Sequence, residues 1–379
     1  MRVPESAAHA RFAGLRLRGL VECVDVRLQP ERLAEPGWWA LVGEFEGRVR
    51  AWRFEEADAA PAGGGAEWVG PRAADWVSSL TREEYVRAVE SVRAHVREGD
   101  VYQANVCRVL CAELGSADDE PDAAALADVL AAGNPAPYAG YVHVPRGSAA
   151  VGGTDRLDGP RDDEGVWVVT ASPELFLRVE DGVVTSAPIK GTATTRDGLT
   201  PKDVAENVMI TDLVRNDLQR VCEPGTVEVT TLLGVEEHPG LVHLVSTVRG
   251  TLAAPHRGAG ALWPALLEAT FPPGSVAGAP KSSALRVIDE VEPVARGPYC
   301  GLVGWVHVAP DGVVRAELAV GIRTFWWEPD ADGRGRLRFG TGAGITWGSD
   351  ARAEWAETEL KAARLVALAS RGAGPGMSD

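Results

Sequence analysis

An α+β chain built on antiparallel sheets is the fold class the sequence predicts. Short β-rich runs follow one another as hairpin-like neighbours: GYVHV (140–144), VWVVTA (166–171), LFLRV (175–179), GVVTSAPI (182–189), CGLVGWVHV (300–308) and RAELAVGIRTFWW (315–327). They do not alternate strictly with helices, as a doubly wound parallel sheet requires. Three segments, 81–99, 200–221 and 349–370, carry helical periodicity. The second has a marked start, with Thr200 able to cap, Pro201 at the first helical position and Asp203 where a capping-box acid belongs. That cap gives Asp203 a structural reading beside any functional one. Glu206, one turn further, has no capping duty; a solvated helix face is its plain reading.

The bulk properties narrow the function. A chain of 379 residues buries a sizeable core, as one large domain or two modest ones. A formal charge of −16 argues against nucleic acid and anionic membrane as partners. The start, MRVPESAAHARF, lacks the apolar core of a signal peptide, and no run is long enough to span a bilayer. Cys23, Cys107, Cys111, Cys222 and Cys300 show no paired metal spacing. A reduced, cytoplasmic protein is the expectation. The stretches 58–68, 152–165, 328–336 and the tail 371–379 read as loops or disorder.

Several residues invite chemistry. Glu354, Glu357 and Lys361 are spaced three and four apart and share a helix face; a surface salt-bridge ladder is the competing reading. Before them, FGTGAGITWGSD places Gly340, Gly342 and Gly344 where bare amides could cradle an anion. The third glycine comes too early for a dinucleotide fingerprint, and a small carboxylate suits the site better. Glu206, Glu354 and Glu357, from two helices, could hold one hard cation such as magnesium, which takes few protein carboxylates and fills its shell with water and substrate oxygen. Arg323 and Lys361 add local positive charge. His243 sits in an apolar strand-like run, where a core histidine is the commoner outcome. No serine occupies a nucleophile elbow, and no cysteine has a Gly-x-Cys-x-Gly setting.

Lys190, in APIKGTATTRDG (187–198), stands between a proline turn and a glycine at the end of an apolar strand. It is either a strand-end accident or a reactive amine. The preceding hairpin turns at Asp181-Gly182. A two-residue turn would put Glu174 and Lys190 on opposite faces. A three-residue loop with Gly182 in a G1 bulge pairs Val179 with Val183 and Glu174 with Pro188, bringing both to one face. The bulged turn is the predicted one.

These blocks, together with GDVYQANVCR, NPAPYAGYV, ASPELFL, ENVMITDLVRNDLQRVCEPGTVEV, HLVSTVRGTL and FPPGSVAGAPKSSALRVIDEVEP, resemble the chorismate-utilising enzymes: anthranilate synthase large subunits, isochorismate and salicylate synthases, and aminodeoxychorismate synthase component I. The resemblance covers about residues 80–370. It implies one large α/β sandwich of two facing antiparallel sheets with helices outside and the site in a cleft between. Residues 81–370 would form the catalytic domain, with 1–80 a short N-terminal part packed on it. Within the family the resemblance is closest to the aminodeoxychorismate synthase (para-aminobenzoate synthase) group, which carries PIKGT where relatives acting at C2 carry a small residue.

In that group the resemblance makes Lys190 the nucleophile at C2 of chorismate and Glu174 the acid for the departing C4 hydroxyl. Ammonia then adds at C4, giving 4-amino-4-deoxychorismate, a precursor for folate or for aromatic-amine secondary metabolites. The resemblance further implies magnesium at Glu206, Glu354, Glu357 and Asp203. Substrate contacts fall on Arg323, Tyr299, Lys361, Gly342, Gly344, Gly191, Thr192 and His243, and a glutamine amidotransferase subunit would supply ammonia. Gln103 stands where the hydrating relatives keep a water-activating lysine, and a glutamine cannot act as that base. Two departures matter. An arginine usual after the threonine of PIKGT is missing, with Arg196 the nearest replacement, and VECVDV replaces the LLES-type motif of tryptophan-regulated relatives. C2 amination of the anthranilate synthase type, and chorismate binding without catalysis, are the alternatives.

Overall fold

The computed structural model describes residues 8–60, 66–148, 165–193, 195–238 and 241–370. The expected tail at 371–379 and nearly all of the 152–165 loop lie outside the described residues. Eighteen strands form one hydrogen-bonded network. Following the pairs gives a ribbon with one bridging strand. One half runs Glu228–His238, Leu241–Thr251, Val183–Ala187, Leu175–Glu180, Val314–Val320, Leu302–Val308, Gly37–Gly43, Val49–Ala59 and Leu15–Asp25. The short strand His9–Phe12 pairs both with Leu15–Asp25 and with Tyr138–Val144, which opens the other half. That half continues through Val166–Ser172, Thr324–Pro329, Arg334–Ile345 and Gln103–Ser116.

The two halves share a core. Trp39, Leu41, Trp52 and Leu318 from the first pack in one apolar cluster with Val109, Val142 and Val168 from the second. Strands from both halves bury apolar residues there, and this shared burial folds the ribbon back on itself. The N-terminal strands are interior to the ribbon, since Gly37–Gly43 pairs along its length with Leu302–Val308.

The described residues hold seven α-helices, numbered in chain order: α1 Arg82–Glu98, α2 Ala123–Gly133, α3 Pro201–Gln219, α4 Ala259–Thr270, α5 Gly274–Ala277, α6 Lys281–Val291 and α7 Ala351–Ala369. The three segments with clear periodicity are α1, α3 and α7. Capping boxes open α1 (Thr81 with Glu84) and α3 (Thr200 with Asp203), and Asp350 caps α7. Periodicity did not reveal α2 and α4 because both are apolar on nearly all sides, and α4 contains Pro264. Among the described residues no helix is long and apolar enough to cross a membrane.

The hairpin before Lys190 departs from its expected form. Val183 pairs with Glu180, so Asp181 and Gly182 make a two-residue turn, with φ of 51° and 75°. Both positive angles suit a turn whose twist matches the strands. The irregularity falls further along, where Thr185 pairs with Arg178 but Ala187 with Leu175. This displaced bulge leaves the register at Ala187 as the turn bulge would have set it. A second irregularity breaks RAELAVGIRTFWW. Strands end at Val320 and restart at Thr324, and Arg323 between them has φ of 53°. An arginine in the left-handed region is strained backbone held by its surroundings. Here the Arg323 carbonyl accepts from the Ala171 amide at 3.0 Å.

Candidate active site

Lys190 on the strand Ile189–Ala193 lies within reach of the charges of Glu174, Glu206 on α3, and Glu357 and Lys361 on α7, and Lys202 joins the starts of α3 and α7 through Glu354. Lys190 is half-buried on its strand. Burial pulls its amine below the ordinary value. Glu206 opposes that, Lys361 adds to it, and Glu174 and Glu357 oppose it. The net direction favours the neutral, nucleophilic amine at a lower pH than for a free lysine. Gly191 has φ of 89°, and a Cβ there would lie 2.8 Å from Asp203 Cβ. Only glycine lets the strand turn this close to α3.

Glu174 is buried, and Ser275 Oγ donates to its Oε1 at 2.5 Å. Burial pushes its carboxyl up to about 7, against the lowering by Ser275, the Lys190 charge and the Ile189 amide. A carboxyl at that value is a competent proton donor near neutrality. Ser275 is held by a buried scaffold. Asn105 Nδ2 donates to the Ser275 carbonyl at 3.4 Å, and Arg296 donates to the carbonyls of Val276 and Asn105 while pairing with Glu292. Sequence reasoning assigned Ser275 no role. It lies 101 residues from Glu174 in the single turn α5, too short to show periodicity, so no spacing signal pointed to it.

The glycines of FGTGAG do not form a loop before a helix; they belong to a regular strand. Gly340, Gly342 and Gly344 oppose Val109, Cys107 and Asn105. Alternate residues share a face, and each makes room for a side chain. A Cβ would lie 2.0 Å from the Tyr299 ring at Gly340, 2.5 Å from Cys107 Sγ at Gly342 and 2.4 Å from Gln103 Nε2 at Gly344. Tyr299 is buried beneath this strand, its hydroxyl 4.0 Å from Cys107 Sγ. Gln103 is buried, donates to Asn105 Oδ1 at 3.3 Å, and its Oε1 accepts no hydrogen bond. Lys361 Nζ lies 2.6 Å from Glu357 Oε1 and donates to the Gly342 carbonyl at 3.1 Å.

Arg323 stands apart electrostatically. Its guanidinium is pulled down by burial, and among the described residues nothing pairs with it. An unpaired, part-buried guanidinium is costly unless an anion joins it. His243 is buried, as its apolar strand predicts, and it pairs across the sheet with Thr192. Arg196 is exposed and pairs with Glu237 at 3.6 Å.

The acidic residues divide. Asp203, expected near a metal, is instead committed to the α3 cap: its Oδ2 accepts from the Thr200 amide at 2.8 Å and the Thr200 hydroxyl at 2.7 Å. Glu354 is buried at the start of α7. Burial pushes the Glu206 carboxyl up, with Lys190 and Lys202 pulling it back, and Glu206 Oε1 accepts no hydrogen bond. Against burial, Lys361 holds Glu357 below the usual carboxylate range. Among the described residues, only half-buried His95 with exposed Glu98 and Asp100 brings three potential ligand atoms within 4.8 Å of one another. Glu206, Glu354 and Glu357 do not meet that criterion; Lys202 lies between Glu206 and Glu354, and Lys361 pairs with Glu357. Magnesium nevertheless needs only one or two carboxylates. A buried Glu206 oxygen that accepts no hydrogen bond among the described residues, with Lys202 Nζ 3.7 Å away, fits that requirement. Lys202, which the sequence reading passed over, reaches Glu354 Oε1 at 3.0 Å; its spacing four before Glu206 was the available signal.

Comparison with known proteins decides the family. The profile of chorismate binding enzymes matches residues 64–367. The chain belongs to the chorismate binding enzyme family. Aminodeoxychorismate synthase component 1 of Klebsiella aerogenes is 34% identical over 303 residues, covering 77% of this chain and 59% of that protein. Anthranilate synthase component 1 of Saccharolobus solfataricus is 33% identical over 328 residues, covering 83% and 68%. The chain thus spans roughly three fifths to two thirds of the length of these relatives. Among solved structures, anthranilate synthase component I from Streptococcus pneumoniae superposes with a TM-score of 0.70 at 22% identity, covering 97% of this chain and 93% of that one. The menaquinone-specific isochorismate synthase from Escherichia coli gives 0.71 at 18% identity, covering 96% and 89%. At those identities the structural likeness speaks for the fold, and it agrees with the α+β antiparallel architecture.

Proposed function

We propose that this chorismate binding enzyme aminates chorismate at C4 to 4-amino-4-deoxychorismate through a covalent intermediate on Lys190. The observation that carries the reading is the presence, within range of each other's charge, of Lys190, an amine biased toward neutrality, and Glu174, a buried carboxyl held up to about 7. Neutral Lys190 attacks C2, the ring double bonds shift, and the C4 hydroxyl leaves with the proton of Glu174. Ammonia then bonds to C4, the double bonds shift back, and the C2–Nζ bond breaks. Glu174 regains a proton from the incoming ammonia, and the enolpyruvyl ether is untouched.

Other residues support this reading. Arg323 offers a substrate carboxylate a guanidinium without a partner among the described residues, and the Gly342 and Gly344 amides are the proposed further donors, beside Lys361, whose Nζ already reaches the Gly342 carbonyl. Gln103 has a free acceptor for an N–H donor and no capacity to deprotonate water, which favours ammonia over hydration. A magnesium ion held by Glu206 and Glu354, with Glu357 beside them, would neutralise the ring carboxylate and the charge that builds during displacement. An amidotransferase subunit is the proposed ammonia source, since the relatives are named as components.

The direct test is incubation with chorismate, magnesium and ammonium at mildly alkaline pH, with products resolved by mass. Aminodeoxychorismate retaining its enolpyruvyl group supports the reading. Anthranilate with pyruvate would replace it with C2 amination.

A further inference from the structure

The carboxylates that frame the site are already engaged by an amine from the same chain. Lys202, on the first turn of α3, reaches across to α7. Its Nζ lies 3.0 Å from Glu354 Oε1, 3.5 Å from Ser349 Oγ and 3.7 Å from Glu206 Oε1. A Lys–Glu pair four apart on a helix surface is ordinarily a weak, solvent-screened contact. That description fits Lys202, whose side chain is 43% exposed, but not its partners, at 5% for Glu354 and 13% for Glu206. Two buried carboxylates from different helices therefore share one exposed, flexible ammonium. Removing it would leave Glu354 without its ion pair and Glu206 with the Lys190 charge as its remaining cation.

We propose that Lys202 is a displaceable internal counter-ion of the Glu206–Glu354 pair, which a divalent cation must push aside to bind, so that Lys202 sets the cation affinity of the site. The inference rests on the reading of these carboxylates as the metal-holding set. An ammonium and a dication need the same oxygens, and holding both there sets like charges a few ångströms apart. The lysine stem gives Lys202 a way out, because its exposed side can swing into water while the buried carboxylates stay in place. A site of this kind binds cation weakly alone and better once an anionic ligand arrives to balance the charge. Asp203 does not enter this exchange, being held by the α3 cap.

The test is calorimetric titration of Mn2+ into the full chain without chorismate, beside thermal melts with and without Mn2+. Lys202→Gln should bind Mn2+ at least about tenfold more tightly than the natural chain. It should melt lower without Mn2+ and recover more on its addition, which also shows that the variant folds. Lys202→Arg, which keeps the charge, should bind as weakly as the natural chain. If Lys202→Gln binds no tighter while Glu354→Gln loses binding, the counter-ion role is overturned and the metal reading survives. If neither the natural chain nor a folded Lys202→Gln binds Mn2+, the metal reading itself fails, and this proposal with it.

Discussion

At the scale of single residues, the account turns on two groups moved in useful directions by burial. Glu174 binds its proton more tightly in the folded chain, with a pKa raised from 4.5 to about 7. The stability this lends is complete below about 4.5 and is lost as pH rises through about 7. Glu174→Gln removes the titration. Its stability relative to the natural chain should therefore improve on going from pH 4 to pH 8, by on the order of 3 kcal/mol at the upper bound, read from urea melts at both values. The same variant should lose about 10²–10⁴ in kcat with little change in chorismate KM, as removal of a proton donor does. The motif singled out Lys190 and Glu174, but the Ser275 contact and the unpaired Arg323 depend on chain segments that only the fold brings near.

Elements show which sequence signals carry positional information. Thr81 with Glu84 and Thr200 with Asp203 are local signals, and α1 and α3 begin where those residues say. The α2 and α4 sequences showed no periodic face, because alanines and leucines occupy even the positions that face outward. The hairpin misled at its turn: a loop type was inferred from where Glu174 and Lys190 had to face, and the chain meets that requirement with a bulge inside the strand. The glycines of the strand Arg334–Ile345 were read as an anion cradle, whereas their spacing first serves packing. Gly340→Ala forces a Cβ to 2.0 Å from the Tyr299 ring and should cost about 1–3 kcal/mol in a urea melt. Gly348→Ala, where a Cβ meets nothing within 4 Å, should stay within about 0.5 kcal/mol of the natural chain.

On the scale of the whole molecule, the family resemblance implied facing sheets, and the pairing shows how they are joined, through the short strand His9–Phe12. Residues 1–80 offered no motif to defend, because their contribution is strand order, which alternation alone does not encode. Deleting residues 1–60 would strip the strands Gly37–Gly43 and Val49–Ala59 and bare the buried edge of Leu302–Val308. The truncated chain should aggregate and lack a cooperative melt in circular dichroism, whereas Lys190→Ala should melt like the natural chain while losing amination. The central claim is that Lys190 bonds to the substrate, and intact-protein mass after incubation with chorismate and magnesium, without ammonia, tests it most directly. The account predicts an added mass of chorismate less one water, mapped to Lys190 and absent from Lys190→Ala. A chain that makes aminodeoxychorismate when ammonia is supplied, yet never carries that adduct, and whose Lys190→Ala variant still aminates, would contradict it.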